Sequence, residues 1–195
     1  MPSRTLTRDD IIPIETYAAE RKQHKARILP VKRERRVHVG PDITFYFENF
    51  DSMWLQIHEM LYIERGGEAQ IADELAAYST MIPNGSELIA TMMIEVEDER
   101  RRKRVLDALG GIEDRVAFLV AGERVAAIPE EDVERTKESG KTSSVHFLHF
   151  PFSKAQIAAF RSGEGEIGLD ISHPAYGHRA VLTPVTRARL AEDFD

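Results

Sequence analysis

The run from Phe45 to Arg65 constrains this chain more than any other segment. It holds the only tryptophan and three of the nine phenylalanines, set among Met53, Leu55, Ile57, Met60, Leu61 and Ile63. Ile43, Phe45 and Phe47 alternate with Thr44, Tyr46 and Glu48, and both sets are largely apolar, as in a central strand covered on both faces. Asp51 or Ser52 can cap the helix that follows, and Gly66-Gly67 ends it. At about 100° per residue, Met53, Trp54, Ile57, Met60 and Leu61 share one arc, and Glu64 falls inside it. The same run carries Glu48, Asn49, Gln56, His58, Glu59 and Glu64. Polar groups among bulky apolar ones are costly unless paired, so they mark either a hydrogen-bond network or a site.

The remaining periodicities extend this pattern. Thr7 followed by Asp10 resembles a helix start, and residues 14–29 read as a polar helix that Pro30 ends or kinks. Val37-His38-Val39 predicts a short strand before the turn Gly40-Pro41-Asp42. A helix over roughly 68–79, a strand from Leu88 to Val96 and a charged helix from Glu97 to Leu109 follow. Arg115–Ala121 and Arg124–Ile128 flank Gly122-Glu123 as a hairpin. Glu130 to Thr142 reads as a mobile loop or short exposed helix. Ser143–Phe150 is a strand, Ser153–Arg161 a helix and Glu166–Ile171 a strand. Residues 172–178 read as a loop before a strand at 179–182, and Thr183-Pro184 opens a last helix. Strands and helices mix without a βαβ rhythm. The expectation is α+β, a mainly antiparallel mixed sheet with helices packed on it and an N-terminal helical arm. We divide it as a basic helical arm over 1–36 and a single α+β domain over 37–195.

Charge sharpens that division. Residues 1–36 carry ten Lys/Arg against five Asp/Glu, a balance of +5, so the other 159 residues carry −12 of the total of −7. A basic arm on an acidic body suits RNA or an acidic partner, or a solvated helix lying on its own acidic body, and the last is the simplest reading. No aromatic residue interleaves with Lys32-Arg33-Glu34-Arg35-Arg36, which argues against a stacking platform for nucleic acid. The absence of cysteine excludes disulfides, thiolate nucleophiles and iron–sulfur ligation. No apolar run is long enough to span a bilayer, and the first ten residues have no apolar signal-like core, so the expectation is cytoplasmic.

No catalytic motif stands out. There is no Gly-x-Ser-x-Gly, no phosphate-cradling loop and no dinucleotide fingerprint. His146-x-x-His149 has metal-like spacing, but on a strand the two rings point to opposite faces. His173 and His178 flank Pro174 and Gly177, where two imidazoles would still need a carboxylate such as Asp170 or Glu48. Glu48, Glu59 and Glu64 read either as paired carboxylates for acid–base work or a divalent ion, or as internal ion pairs. His58 and Tyr62 lie one helical turn apart.

A series of short segments in order resembles a bacterial family, domain-of-unknown-function family 3501. The segments are Leu6-Thr7-Arg8-Asp9-Asp10-Ile11, Arg35-Arg36-Val37-His38-Val39-Gly40-Pro41, Phe47-Glu48-Asn49, Gln56-Ile57-His58-Glu59-Met60-Leu61, Ile82-Pro83-Asn84-Gly85, Gly111-Ile112-Glu113-Asp114, Thr142-Ser143-Ser144-Val145-His146-Phe147-Leu148 and His173-Pro174-Ala175-Tyr176. Where members of the family often have Gln, this chain has His58. The resemblance implies no established activity. It implies a setting beside a rubrerythrin-like di-iron protein and an iron–sulfur oxidoreductase, and hence an accessory role in oxidative-stress or electron-transfer metabolism.

The leading expectation is therefore a cofactor-free accessory or partner-binding protein of a redox system. The alternative is a small enzyme or metal-binding protein that uses buried Glu and His side chains. The residues expected to form a ligand or partner site are Glu48, Asn49, Gln56, Glu59, Glu64, Arg65, His146, His173 and Tyr176. No catalytic residue, cofactor or metal-ligand set is assigned.

Overall fold

The computed structural model describes residues 4–130, 141–163 and 165–195. Most of the segment expected as a mobile loop or exposed helix, 130–142, lies outside them. The fold is α+β, with its strands divided between two antiparallel sheets. The first sheet has the order β1 (Arg36–Val39), β2 (Ile43–Phe47), β3 (Glu87–Ile94), β7 (Val145–Pro151) and β6 (Ile128–Pro129). The second has the order β5 (Glu123–Ala126), β4 (Val116–Val120), β8 (Ile167–His173) and β9 (Tyr176–Val181).

The first sheet is covered on both faces, as the double apolar pattern of Ile43–Phe47 requires. On one face Phe45, Phe47, Leu88, Met92 and Phe150 meet Phe118 and Leu169 of the second sheet. Aromatic edges lock this layer, with Phe118 and Phe150 centroids 5.0 Å apart and nearly perpendicular. The other face receives two helices, α1 (Ile14–Glu34) and α2 (Phe50–Glu64). There Tyr17, Ile28, Trp54, Ile57, Leu61, Met81 and Ile89 form a second core. Trp54, Ile57 and Leu61 are all buried, as their shared arc predicts. Helices α3 (Gly67–Tyr78), α4 (Glu99–Ala108), α5 (Lys154–Ser162) and α6 (Pro184–Ala191) complete the chain. Among the described residues, no helix is long and apolar enough to cross a membrane.

Four local expectations need correction. Helix α1 continues through Pro30 to Glu34, with Ile28 and Arg35 buried on either side to hold it. The cap of α2 is Asn49, whose Oδ1 accepts from the Ser52 N–H at 2.9 Å while Ser52 Oγ accepts from the Asn49 N–H. The stretch 172–178 is a tight hairpin, with His173 paired to Tyr176 and Ile171 to His178. Its His, Pro, Gly and Tyr residues mask the strand alternation that would have shown it. Residues 124–128 leave the second sheet at Ala126 and join the first at Ile128.

Two contacts fix the layers to each other. The Tyr176 hydroxyl donates to Val39 O at 2.8 Å and accepts from the Asp42 N–H at 2.9 Å, pinning β9 to the β1–β2 turn. Gly40 adopts φ +70° in that turn, and a Cβ there would lie 2.6 Å from the Tyr176 hydroxyl. Arg35, 1% exposed, donates to the carbonyls of Phe47, Glu48 and Arg189 and pairs with the Asp193 carboxylate. Burial pushes the Asp193 carboxyl up, and Arg35 beside it works against that shift.

Candidate functional site

The end of β2 delivers Glu48 beneath the first turn of α2. Its backbone N–H donates to Ile89 O at 2.8 Å, which continues the ladder and aims the side chain at the helix face of the sheet. There Oε2 accepts from Ser52 Oγ at 2.6 Å and Oε1 from Thr91 Oγ1 at 2.8 Å. Only 5% of Glu48 is exposed, and among the described residues it forms no ion pair. A buried carboxylate held by two hydroxyls keeps acceptor capacity, since it has about four lone-pair positions.

Above Glu48 lies a groove of about 590 Å³. Met53 and Gln56 of α2 wall one side, and Tyr78 and Met81 close one end. Tyr46, Thr91, Met93, Val145 and Phe147 of the first sheet form the floor. The end of α1 supplies Leu29, Lys32 and Arg33, and β1 supplies Arg36. The Arg36 guanidinium lies 4.7 Å from the centre of the Tyr46 ring. Lys32, Arg33 and Arg36 form no ion pair among the described residues, and the half-buried Gln56 and Tyr78 side chains make no hydrogen bond there.

Glu59, two turns along α2 from Ser52, contrasts with Glu48. It accepts from Tyr17 Oη at 2.6 Å, from Arg21 Nε and Nη2 at 2.7 Å each, and from Lys25 Nζ at 2.6 Å. Arg21 first, then Lys25 and Tyr17, hold its carboxyl well below the usual range, at about 2, against the effect of burial. Burial, with the Glu59 carboxylate next, pushes the Tyr17 hydroxyl up. His58 beside it is fully buried, donating from Nδ1 to Trp54 O at 2.7 Å and accepting at Nε2 from the Ile12 N–H at 3.2 Å. It is therefore a neutral strut, and burial lowers its pKa.

The nine residues expected to act together do not share one centre. Glu48 and Gln56 line the groove, and Asn49 sits next to it as the cap. Glu59 belongs to the clamp on α1. Glu64 is exposed, contrary to its place on the apolar arc, and accepts from Gln70 Nε2 at 2.8 Å. The last turn of α2 leaves the core, as the 67% exposure of Ile63 shows, and Arg65 ends it in a left-handed conformation in solvent. His146 is paired across the sheet with Met92 and lies between the sheets, its Nε2 3.0 Å from Ser143 O and its Nδ1 3.8 Å from Glu113 Oε2. His149, paired with Ile89, faces the helix side, so the two rings do point apart. His173 spends both ring nitrogens on backbone, with Nε2 3.3 Å from Gly110 O and Nδ1 accepting from the Ala175 N–H. Tyr176 is the sheet pin described above. Among the described residues, no three His, Asp or Glu side chains gather as metal ligands.

A second groove, of about 640 Å³, lies between the N-terminal segment and α3. Its buried lining residues are Ile11 and Leu61, and the charges Arg8 and Glu68 at its rim bond each other at 2.6 and 2.9 Å. Among the described residues it therefore has no buried polar side chain with capacity to spare, and the Glu48 groove is the better site. Sequence reasoning finds Glu48 and Gln56, weighs Lys32, Arg33 and Arg36 only as part of a basic arm for RNA or an acidic partner, and gives no role to Tyr78 or Thr91. The signal for Thr91 was a polar residue recurring in phase with Ile89 and Met93 on one strand face.

Residues 5–194 match a family described as protein of unknown function (DUF3501). The chain belongs to the DUF3501 family. This DUF3501 chain is similar to a novel protein of unknown function from Burkholderia pseudomallei K96243 seen in a crystal structure. Identity is 42% and the TM-score 0.90, over 98% of this chain and 100% of the other. A search of curated proteins finds no match to the DUF3501 chain.

Proposed function

We propose that this protein is a cytoplasmic accessory protein whose working surface is the groove over Glu48. The observation that carries this reading is the Glu48 carboxylate, buried under an open groove and held by two hydroxyls without a cation. Glu59 is neutralised by Arg21 and Lys25 and Asp42 by Arg101, whereas buried Glu74, like Glu48, is held by a neutral donor, the Gln70 amide, but does not line the groove. A group that spends burial without taking a counter-charge fits a site whose partner arrives from outside. The redox setting, with a rubrerythrin-like di-iron protein or an iron–sulfur oxidoreductase as partner, is supported by the family resemblance alone. The same carboxylate favours a second reading, a small enzyme with Glu48 as general base.

Hydrogen exchange of the full chain, alone and mixed with a rubrerythrin-like protein, tests the partner reading. Slowed exchange at Tyr46, Gln56 and Thr91 is expected. Protection confined to the second sheet, or no complex at all, removes the redox partner from this groove.

A further inference from the structure

The charges of the basic helix are distributed unevenly, and the unevenness points at a ligand. Arg21 and Lys25 are committed to Glu59, Arg27 to Asp51 and Arg35 to Asp193. Lys32, Arg33 and Arg36 are not committed to any described carboxylate and all three border the groove, whereas the one other uncommitted cation of α1, Lys22, is exposed away from it. Lys32 and Arg33 gain from the C-terminal end of the α1 dipole, but that leaves their charges open to solvent. The groove thus has a cationic rim and, on its floor, a buried carboxylate with acceptor capacity to spare. Among the described residues Glu48 is its only acidic lining residue, and a single carboxylate does not make a metal site. Between rim and floor the walls are apolar and adaptable, including three of the six methionines, Met53, Met81 and Met93. The volume is that of a small-ligand pocket, and helices, residues 78–81 and sheet enclose it on several sides.

We infer that the groove binds a small amphipathic organic anion whose far end carries a hydroxyl or ammonium. This rests on the reading of the groove as the working surface. The anionic end meets Lys32, Arg33 and Arg36, where guanidinium groups fit a carboxylate or phosphate well. The apolar middle lies on Met53, Met93 and Phe147. The donor end hydrogen-bonds Glu48, with the free Gln56 amide beside it.

Calorimetric titration of the full chain tests this, with ω-hydroxyalkanoates of increasing chain length as probes. At the best length, say the ω-hydroxyoctanoate, octanoate lacks the donor and ω,ω′-octanediol lacks the anion. The hydroxy acid should bind at least about tenfold more tightly than either, the scale of one charge-assisted hydrogen bond. The double change Lys32→Ala with Arg33→Ala should abolish the advantage over the diol and keep that over octanoate. Glu48→Gln should do the reverse, with thermal unfolding verifying that each variant is folded. Equal affinities for all three probes, or no binding by the unaltered protein at any length, overturn the proposal. If hydrogen exchange then still reports a partner protein over Tyr46 and Thr91, the groove is a protein-docking surface and only the ligand class has failed. If neither appears, the groove reading fails with it.

Discussion

Two glutamates near the same pair of helices have opposite fates. Glu59 is wrapped by two cations and a tyrosine hydroxyl, and nothing is left for it to bind. Glu48 is the more buried of the two, yet it receives two neutral hydroxyls and lies under open space. The first arrangement ties α1 to α2 and is complete within the chain. The second costs burial and leaves capacity unused. The contrast shows that a carboxylate inside a fold is informative through what it lacks, more than through where it sits.

The comparison can be broken at several strengths. Leu61→Ala, in the core beneath the Glu59 clamp, should cost about 2–5 kcal/mol as a cavity. A loss below about 1 kcal/mol by denaturant titration would mean that the helix layer is not a true core. Glu59→Ala should cost about 1–3 kcal/mol, because it strands the fully buried Tyr17 hydroxyl between half-exposed cations. It should also flatten the acid limb. The Glu59 pKa is depressed, so its contribution is complete above 4.5 and is lost as pH falls toward about 2.

The two histidines of the helix face should respond to pH with opposite signs. His58 is depressed by burial, so stability is complete above 6.5 and declines as pH falls below it. His149 is raised, first by the Glu87 carboxylate 3.0 Å away and then by Glu130, so its contribution is complete below 6.5 and fades as pH rises through the folded pKa. Melting curves of His58→Gln and His149→Gln across pH 5 to 8 should each lose one limb (about 6.5 being the free histidine value). Both losing the same limb would contradict the assigned partners. The smallest effect is reserved for the site: Glu48→Gln should change stability by less than about 1 kcal/mol, since both hydroxyls can still pair with the amide. A cost matching that of Glu59→Ala would make Glu48 a second structural clamp and erase the distinction.

Much of the fold can be read in the sequence because its elements are locally consistent. The double apolar pattern at Ile43–Phe47 and the arc of Trp54, Ile57 and Leu61 each follow from periodicity, and Thr183 caps its helix as read. The hairpin at Ile167–Val181 could not be read this way, because register depends on pairing across the chain rather than on local pattern. Glu64 fails for a related reason: helical phase gives direction but not where the neighbouring layer ends. The groove was half visible. Glu48 and Gln56 stood out as polar residues in an apolar run. The freedom of Lys32 and Arg33 appeared only once Arg21, Lys25, Arg27 and Arg35 had found their carboxylates.

Arg35 also sets a clock on the birth of the molecule. Its guanidinium is needed at the junction of α1, β1 and β2, but its carboxylate partner, Asp193, is translated 158 residues later. At about 5–20 residues per second, a ribosome leaves that charge waiting for roughly 8–30 s. Over that interval the strand–helix unit that supplies Glu48 cannot bury Arg35 with its counter-charge, and the guanidinium keeps its water until Asp193 arrives. The groove, one of whose walls ends at Arg35, is therefore among the last parts of this protein to close.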